Sequence, residues 1–168
     1  MTILIAMPCL LTGGTEIQTL SLVRALVQDG HQVTVVCYFE YAPIMIEHYQ
    51  NEGSKVICLN PAGTRISGWN GIRFLFKGIR KILKEERPDI VHVQYMAPGA
   101  IPILLLRMLG MKNIIVTVHT AADIYSSLYL IHFIQKHCVR VFTCITMRAE
   151  KSFFGSAELY NSDTNLKK

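Results

Sequence analysis

The sequence predicts an α/β domain: a doubly wound, mostly parallel sheet of about six strands with helices on both faces, in the manner of a Rossmann fold. Short runs rich in β-forming residues alternate with longer segments of helical period, which is the pattern of strands joined by crossover helices. The strand-like runs are almost continuously apolar, as expected where helices cover both faces of a sheet. With 168 residues, of which 51% are hydrophobic, the chain can bury one substantial core.

Six strands are predicted from short apolar runs bounded by turn-forming residues. They lie at residues 3–7, 32–38, 55–59, 90–94, 113–119 and 140–145. Right-handed crossovers between successive strands would wind these six into one sheet.

Helices are predicted in the segments between the strands. In the first, Ile17, Leu20 and Val23 recur at helical spacing, and Gly30 follows as a stop signal. The third ends before Pro88, because proline disfavours helical geometry in the residue that precedes it. The predicted helices span residues 15–29, 42–52, 71–87, 99–109, 125–137 and 148–154.

Two segments are predicted to lie outside the regular elements. Residues 60–70 have the composition of a loop. The polar residues 155–168 are expected to form a disordered tail beyond a domain of residues 1–154.

The cysteines and the first residues indicate a cytoplasmic protein. Five cysteines, an odd number without CxxC spacing, predict neither a disulfide framework nor a zinc site, and we interpret them as buried thiols. The first residues lack the basic segment of a signal peptide and predict a strand instead. Every apolar stretch is shorter than the roughly 20 residues of a spanning helix, so the protein is expected to be soluble or to lie on a membrane surface.

The net charge of +5 suits a phosphorylated ligand, nucleic acid or anionic lipid. Much of the positive charge falls on the predicted helix 71–87, which also has aromatic neighbours and so could contact an anionic membrane. The alternative is an ordinary solvated helix face, because Glu85 and Glu86 dilute the charge. The chain has no known nucleic-acid-binding motif, so nucleic acid is not an expected partner. The cations proposed for membrane contact are Arg73, Lys77, Arg80, Lys81 and Lys84.

The loop after the first strand is the best candidate for ligand binding. In open α/β sheets, ligands bind beyond the carboxyl ends of the strands, near the point where strand order reverses. Gly13 and Gly14 join the first strand to the first helix, where backbone N–H groups can approach an anion closely. A diphosphate is the natural ligand, and a simple flexible turn is the alternative.

Other nucleotide-binding and metal-binding classes are disfavoured. The loop lacks GxGxxG and the chain lacks GxxxxGK[ST], so neither a nicotinamide enzyme nor a P-loop protein is predicted. Pro8 and Asn60 stand where a receiver domain needs acidic residues. We interpret His92, inside a strand, as a hydrogen-bonded core residue, and the remaining histidines share no spacing that indicates a metal site. No metal or other cofactor is therefore expected.

Four segments in the same order resemble the N-terminal domain of family 4 retaining glycosyltransferases, which have the GT-B architecture. They are GGTEIQTLSLVRALVQDGHQVTVVC at 13–37, RPDIVHVQ at 87–94, IIVTVHT at 114–120 and, more weakly, VFTCITMRAEKSF at 141–153. In the last segment, Thr146 stands where the family frequently has serine. The resemblance covers roughly residues 1–154.

The resemblance implies an enzyme in which two Rossmann-like domains face each other across a cleft. The N-terminal domain would hold mainly the acceptor, and a C-terminal domain, supplied in cis or by a partner subunit, would hold the nucleotide sugar. These 168 residues do not contain that second domain, so the chain alone is expected to be inactive. The acceptor could be a lipid-linked sugar or a polysaccharide.

Individual roles follow from the same resemblance. His119 matches the catalytic histidine beside the transferred sugar, and Gly13, Gly14 and Thr15 match the loop against the donor diphosphate. Glu16, Gln94 and Thr120 fall on the acceptor side. Two alternatives stay open: a fragment of a GT-B sugar-nucleotide epimerase, and a non-catalytic module that binds phosphate or lipid.

Overall fold

The computed structural model describes residues 1–95, 100–122 and 127–157. Its centre is a six-stranded sheet in which every pair of neighbours is parallel, in the order β3-β2-β1-β4-β5-β6. Each strand lies within one residue of its predicted bounds, and the predicted fold class is confirmed. The strands are β1 (Thr2–Met7), β2 (Gln32–Cys37), β3 (Lys55–Cys58), β4 (Ile90–Gln94), β5 (Ile114–Val118) and β6 (Val141–Cys144).

Six helices connect and follow the strands. All six were predicted, but the third begins at Gly68, three residues earlier than expected, so residues 68–70 are helical and the loop ends at Ser67. The helices are α1 (Gly14–Gln28), α2 (Pro43–Asn51), α3 (Gly68–Glu86), α4 (Ala100–Met108), α5 (Leu128–His137) and α6 (Met147–Phe154).

The early start of α3 has a packing reason. Gly71 lies so close to the carbonyl oxygen of Ile66 that a Cβ atom there would collide with it. Gly71 thus lets the first turn of the helix approach the preceding backbone. At the other end, Arg87 leaves the helix in the left-handed conformation, φ 45°, directly before Pro88.

The first residues of the predicted fourth and fifth helices, Gly99 and Tyr125, lie outside the described residues. So do residues 158–168, the larger part of the predicted tail. None of the helices in the described ranges is long and apolar enough to cross a membrane.

Each face of the sheet has its own hydrophobic core. Alternate residues of β1 point to opposite sides: Ile3 and Ile5 pack with the residues of α1 and α2, whereas Leu4 and Ala6 pack with those of α3, α4 and α5. This alternation is why the strand sequences are apolar throughout. Of the five free thiols, Cys37 and Cys138 are buried as predicted, whereas Cys9, Cys58 and Cys144 are only half-buried because they lie near strand ends.

The strand order reverses between β1 and β4. The two strands are clamped at their amino ends, where the Thr2 N–H donates to Oδ2 of Asp89 at 2.8 Å and the Asp89 N–H donates to the Thr2 carbonyl at 2.8 Å. At their carboxyl ends the two chains separate, β1 toward α1 and β4 toward Tyr95. This is the crevice in which open α/β sheets bind ligands.

Candidate functional site

The glycine loop, residues 8–13, is anchored along the end of β2. The Leu10 N–H donates to the Glu40 carbonyl at 2.8 Å, and the Ala42 N–H donates to the Leu10 carbonyl at 2.9 Å. The Leu10 side chain is completely buried. The path of the loop is therefore fixed as far as Leu10.

The amino end of α1 presents unused backbone donors. Gly13 is the N-cap residue, with extended backbone and no side-chain capping bond, and its carbonyl accepts the first helical hydrogen bond from Ile17 at 3.1 Å. The helix itself therefore uses none of the N–H groups of Gly14, Thr15 and Glu16. Gly14 is exposed, and a Cβ there would meet nothing within 4 Å. Donors at the positive end of a helix, beside open space, suit an anion.

Glu16 folds back beneath this loop. The residue is only 4% exposed, and its Oε2 lies 2.5 Å from where a Cβ on Gly13 would stand. The Cys9 thiol donates to Oε1 at 3.4 Å, and the Tyr49 hydroxyl donates to the Glu16 carbonyl at 2.7 Å. Burial and the nearby Glu16 carboxylate raise the pKa of Cys9 to about 11, so the thiol keeps the proton that it donates. These contacts order the loop from below.

His119 follows β5 and is joined to the end of β4. Its Nε2 lies 2.8 Å from Oε1 of Gln94, a residue that is only 2% exposed. Burial lowers the pKa of His119, so the ring is neutral at pH 7. Its Nδ1 is buried, and no donor in the described parts of the chain bonds to it. Thr120, the next residue, is half-buried at the same strand end.

A row of polar side chains continues from Gln94 across the sheet. The Gln94 Nε2 lies 3.4 Å from Nε2 of His92, which lies 2.7 Å from the Thr117 hydroxyl, and that hydroxyl lies 2.9 Å from the hydroxyl of Thr143. Burial, and secondarily His119, lower the pKa of His92 to about 4. The interpretation of His92 as a hydrogen-bonded core histidine agrees with these contacts.

Tyr95 is the site residue that sequence reasoning missed. Its ring lies 5.0 Å from the His119 ring, tilted by 44°, and its hydroxyl lies near the Thr15 side chain. Its backbone is left-handed, with φ 70°, which is uncommon for a residue other than glycine and is held here by an N–H bond to the Thr117 carbonyl at 3.0 Å. The available signal was its position, an aromatic residue directly after the fourth strand.

The predicted site residues fall into two groups in space. One group is the amino end of α1, with Gly13, Gly14, Thr15 and Glu16. The other lies at the ends of β4 and β5, with Gln94 and His119. Tyr95 bridges the groups. Among residues 1–95, 100–122 and 127–157, no three His, Cys, Asp or Glu side chains are grouped to hold a metal ion.

The cations of α3 lie away from this crevice, on the solvent side of their helix. Arg73, Lys77, Arg80, Lys81 and Lys84 are all exposed, while the opposite stripe of the helix is buried against the sheet. Lys81 lies 3.9 Å from the Glu85 carboxylate, and no carboxylate in the described part of the chain forms an ion pair with the other four. Trp69, at the amino end of the same helix, is 81% exposed.

Residues 12–157 match the family model described as Glycosyltransferase Family 4. The chain belongs to glycosyltransferase family 4. The resemblance of the four sequence segments to this family is thereby confirmed, and the fold is that of the N-terminal domain of GT-B glycosyltransferases. The comparison with curated protein sequences gives no match.

Solved structures share the fold of this family 4 domain. MurG of Acinetobacter baumannii superposes with a TM-score of 0.60 at 14% identity, over 89% of this chain and 42% of that protein. A glycosyltransferase of Rickettsia africae superposes with a TM-score of 0.64 at 22% identity, over 84% of this chain and 36% of that protein. UDP-GlcNAc 2-epimerase of Methanocaldococcus jannaschii superposes with a TM-score of 0.61 at 14% identity, over 92% of this chain and 42% of that protein. The chain thus spans about two fifths of the length of these proteins.

Proposed function

We propose that this chain is the acceptor-side half of a glycosyltransferase, which transfers a hexose from a nucleotide sugar to an acceptor with retention and without a metal or other cofactor. The observation that supports this most is the convergence of three strand ends at the switch point. Tyr95 lies between the amino end of α1, where the anion would bind, and the neutral imidazole of His119, so these two groups are about one tyrosine side chain apart. Phosphate binding and sugar orientation would then meet in one crevice.

In this proposal the amino end of α1 receives the donor diphosphate. The N–H groups of Gly14 and Thr15 would stabilise the negative charge that develops on the leaving diphosphate, as fixed donors do at oxyanion sites. Open space at Gly14 gives the phosphate room to approach. Glu16, buried below the loop, would order it, while Thr120 would border the acceptor and the buried Gln94 would act on that side through His119.

His119 would lie beside the transferred sugar. Positive charge develops on the sugar ring as the bond to the diphosphate breaks, so a protonated imidazole would repel it. Burial favours the neutral ring. A neutral histidine can instead orient the sugar by contact with its ring and leave the developing charge unopposed.

The basic groups that grip the rest of the donor would come from a second domain, in cis or from a partner subunit. The similar proteins are more than twice as long as this chain. Without such groups, the barrier to transfer would rise by several kcal/mol, about 2.7–4 for each lost oxyanion donor. We therefore expect negligible transfer by the 168 residues alone.

Backbone amide NMR of the full chain tests the phosphate site. Pyrophosphate, the group shared by nucleoside diphosphate donors, should shift the Gly14, Thr15 and Glu16 amide signals. Gly14→Asp should abolish the shifts, because it places a carboxylate among these donors. Gln18→Asp, on the exposed side of α1, changes the net charge equally and should preserve them. Absence of any shift at millimolar pyrophosphate would refute the proposed donor site.

Product analysis separates the remaining alternatives. When a second domain is supplied, a glycosyltransferase transfers the sugar to an acceptor or slowly hydrolyses the nucleotide sugar, and it forms no other product. An epimerase releases a changed nucleotide sugar without an acceptor. A binding module retains the pyrophosphate shifts but turns over no nucleotide sugar under any of these conditions.

We also propose that the protein works in the cytoplasm and docks through α3 on the inner face of the membrane, where a lipid-linked acceptor would lie. The support is an exposed tryptophan and four cations on one helix that pair with no carboxylate among the described residues. The buried stripe of α3 is already used by the sheet, so the contact would rest on charge and Trp69 and would be reversible.

A further inference from the structure

The carboxamide of Gln94 lies between two imidazoles. Its Oε1 faces Nε2 of His119 at 2.8 Å, and its Nε2 faces Nε2 of His92 at 3.4 Å. An amide oxygen only accepts hydrogen bonds and an amide nitrogen only donates them. The histidine nitrogen that faces the oxygen must therefore carry a proton, and the nitrogen that faces the amide NH2 must not.

We propose that Gln94 is a positioning residue that holds the two histidines in opposite neutral tautomers, with the proton of His119 on Nε2 and that of His92 on Nδ1. Gln94 is only 2% exposed and lies beneath His119, so it acts on a ligand through that ring.

The neighbouring hydroxyls fit this arrangement. The Thr117 hydroxyl can donate to the unprotonated Nε2 of His92 at 2.7 Å. It can also accept from the hydroxyl of Thr143 at 2.9 Å, whose one proton is shared with the Val116 carbonyl at 3.2 Å. Burial lowers the pKa of both imidazoles, so both rings are neutral at pH 7.

The buried Nδ1 of His119 decides between the two orientations of the amide. With the proton on Nε2, the Nδ1 is an unused acceptor. The reverse orientation would put a proton on Nδ1, for which the described residues offer no acceptor, and orphaned buried N–H groups are the rarer of the two defects. The observed orientation is therefore the favoured one.

A consequence for chemistry rests on the proposed function. Neutral His119 with a bare Nδ1 cannot donate a proton from that nitrogen. Because Nδ1 is buried and Nε2 faces Gln94, the ring meets a sugar by packing rather than through a nitrogen, and Gln94 fixes the plane of the ring. His119 then orients the sugar without acting as a general acid.

Long-range proton–nitrogen NMR of the full chain with 15N-labelled histidine tests the proposal directly at pH 7.5, without any ligand. We expect His119 to have a protonated Nε2 and a bare Nδ1, and His92 to have the reverse. Any other pair of tautomers would overturn the assignment. His31 and His48 provide internal references.

Gln94→Met adds a second readout, because it removes the amide at similar volume. It should release His119 into a mixture of tautomers, whereas Gln18→Met, on the exposed face of α1, should leave both rings as in the parent chain. A folded Gln94→Met protein with unchanged tautomers would contradict the role of Gln94. If this variant fails to fold, the tautomers seen in the spectrum of the parent chain decide whether the proposal holds. Pyrophosphate binding is measured in a separate experiment, so its failure would refute the donor site but not the role of Gln94.

Discussion

The ring of Tyr95 lies against the imidazole of His119, with 5.0 Å between their centroids, while its hydroxyl lies near the Thr15 side chain. One side chain therefore connects the amino end of α1 with the ends of β4 and β5. The left-handed backbone of Tyr95 is a local conformational cost that such contacts offset. The tyrosine thereby couples the position of the histidine to that of the glycine loop.

Removal of the Tyr95 ring should weaken this connection. We expect Tyr95→Leu to lower the free energy of unfolding by about 0.5–1.5 kcal/mol, the contribution of an aromatic pair, as measured by urea denaturation. Tyr129→Leu is the matched control, because Tyr129 is 83% exposed and should change stability by less than about 0.5 kcal/mol. Equal effects from the two variants would contradict the bridge.

Alanine at the two glycines of the loop should have opposite effects. In Gly13→Ala, the new Cβ would lie 2.5 Å from the Glu16 carboxylate, which must move, and we expect a loss of about 1–3 kcal/mol. In Gly14→Ala the Cβ meets nothing, and alanine favours the helix, so stability should be unchanged or rise by up to about 1 kcal/mol. Thermal unfolding of the two proteins distinguishes the cases, and a costly Gly14→Ala would show that this space is filled.

Stability should fall with acidification because of His92. Its pKa is about 4 in the folded protein and about 6.5 when unfolded, so between these values the unfolded state binds more protons. The contribution is fully present above pH 6.5 and is lost as the pH falls toward 4, with a total of up to about 3 kcal/mol. Urea denaturation at several pH values should show that the free energy of unfolding depends less steeply on pH in His92→Gln than in the parent chain. The control His48→Gln changes an exposed helix position and should preserve the pH dependence of the parent chain.

If α3 docks on the membrane, the affinity for anionic vesicles should depend on where the positive charges lie and not only on their number. The triple variant Lys77→Glu, Arg80→Glu, Lys84→Glu should reduce binding to anionic vesicles more than tenfold in co-sedimentation, since each basic residue near the surface contributes about 1 kcal/mol. A control triple with Lys112→Glu, Lys136→Glu and Lys151→Glu makes the same charge change at other exposed positions. Equal losses in both proteins would show that net charge alone drives binding. Neutral vesicles should bind neither the parent chain nor the variants.

The fold was predictable because its signals are local. Continuous apolar runs identify strands covered on both faces, and the spacing of Ile17, Leu20 and Val23 identifies a helix. The start of α3 at Gly68 was not predictable, because residues 60–70 have the turn-forming composition of a loop throughout. The close approach of the first turn to Ile66 exists only in the folded chain.

The site was predictable in position but not in its connections. The residues at the strand ends could be named in advance, since carboxyl ends of parallel strands share one edge. The network depends on register: Gln94 pairs with Thr117 across β4 and β5, which brings its side chain within reach of His119, two residues further along. Neither the register nor the left-handed turn at Tyr95 has a signal in a single sequence.

The reversal of strand order between β1 and β4 also bears on how the molecule assembles. Four of the five strand pairings join consecutive strands, so each requires only one crossover helix to form. The β1–β4 pairing joins strands separated by two others and closes a much longer stretch of chain. We expect two three-stranded units to form first and to dock along this seam. Because the glycine loop belongs to one unit and His119 to the other, the crevice does not exist in any intermediate that lacks the seam.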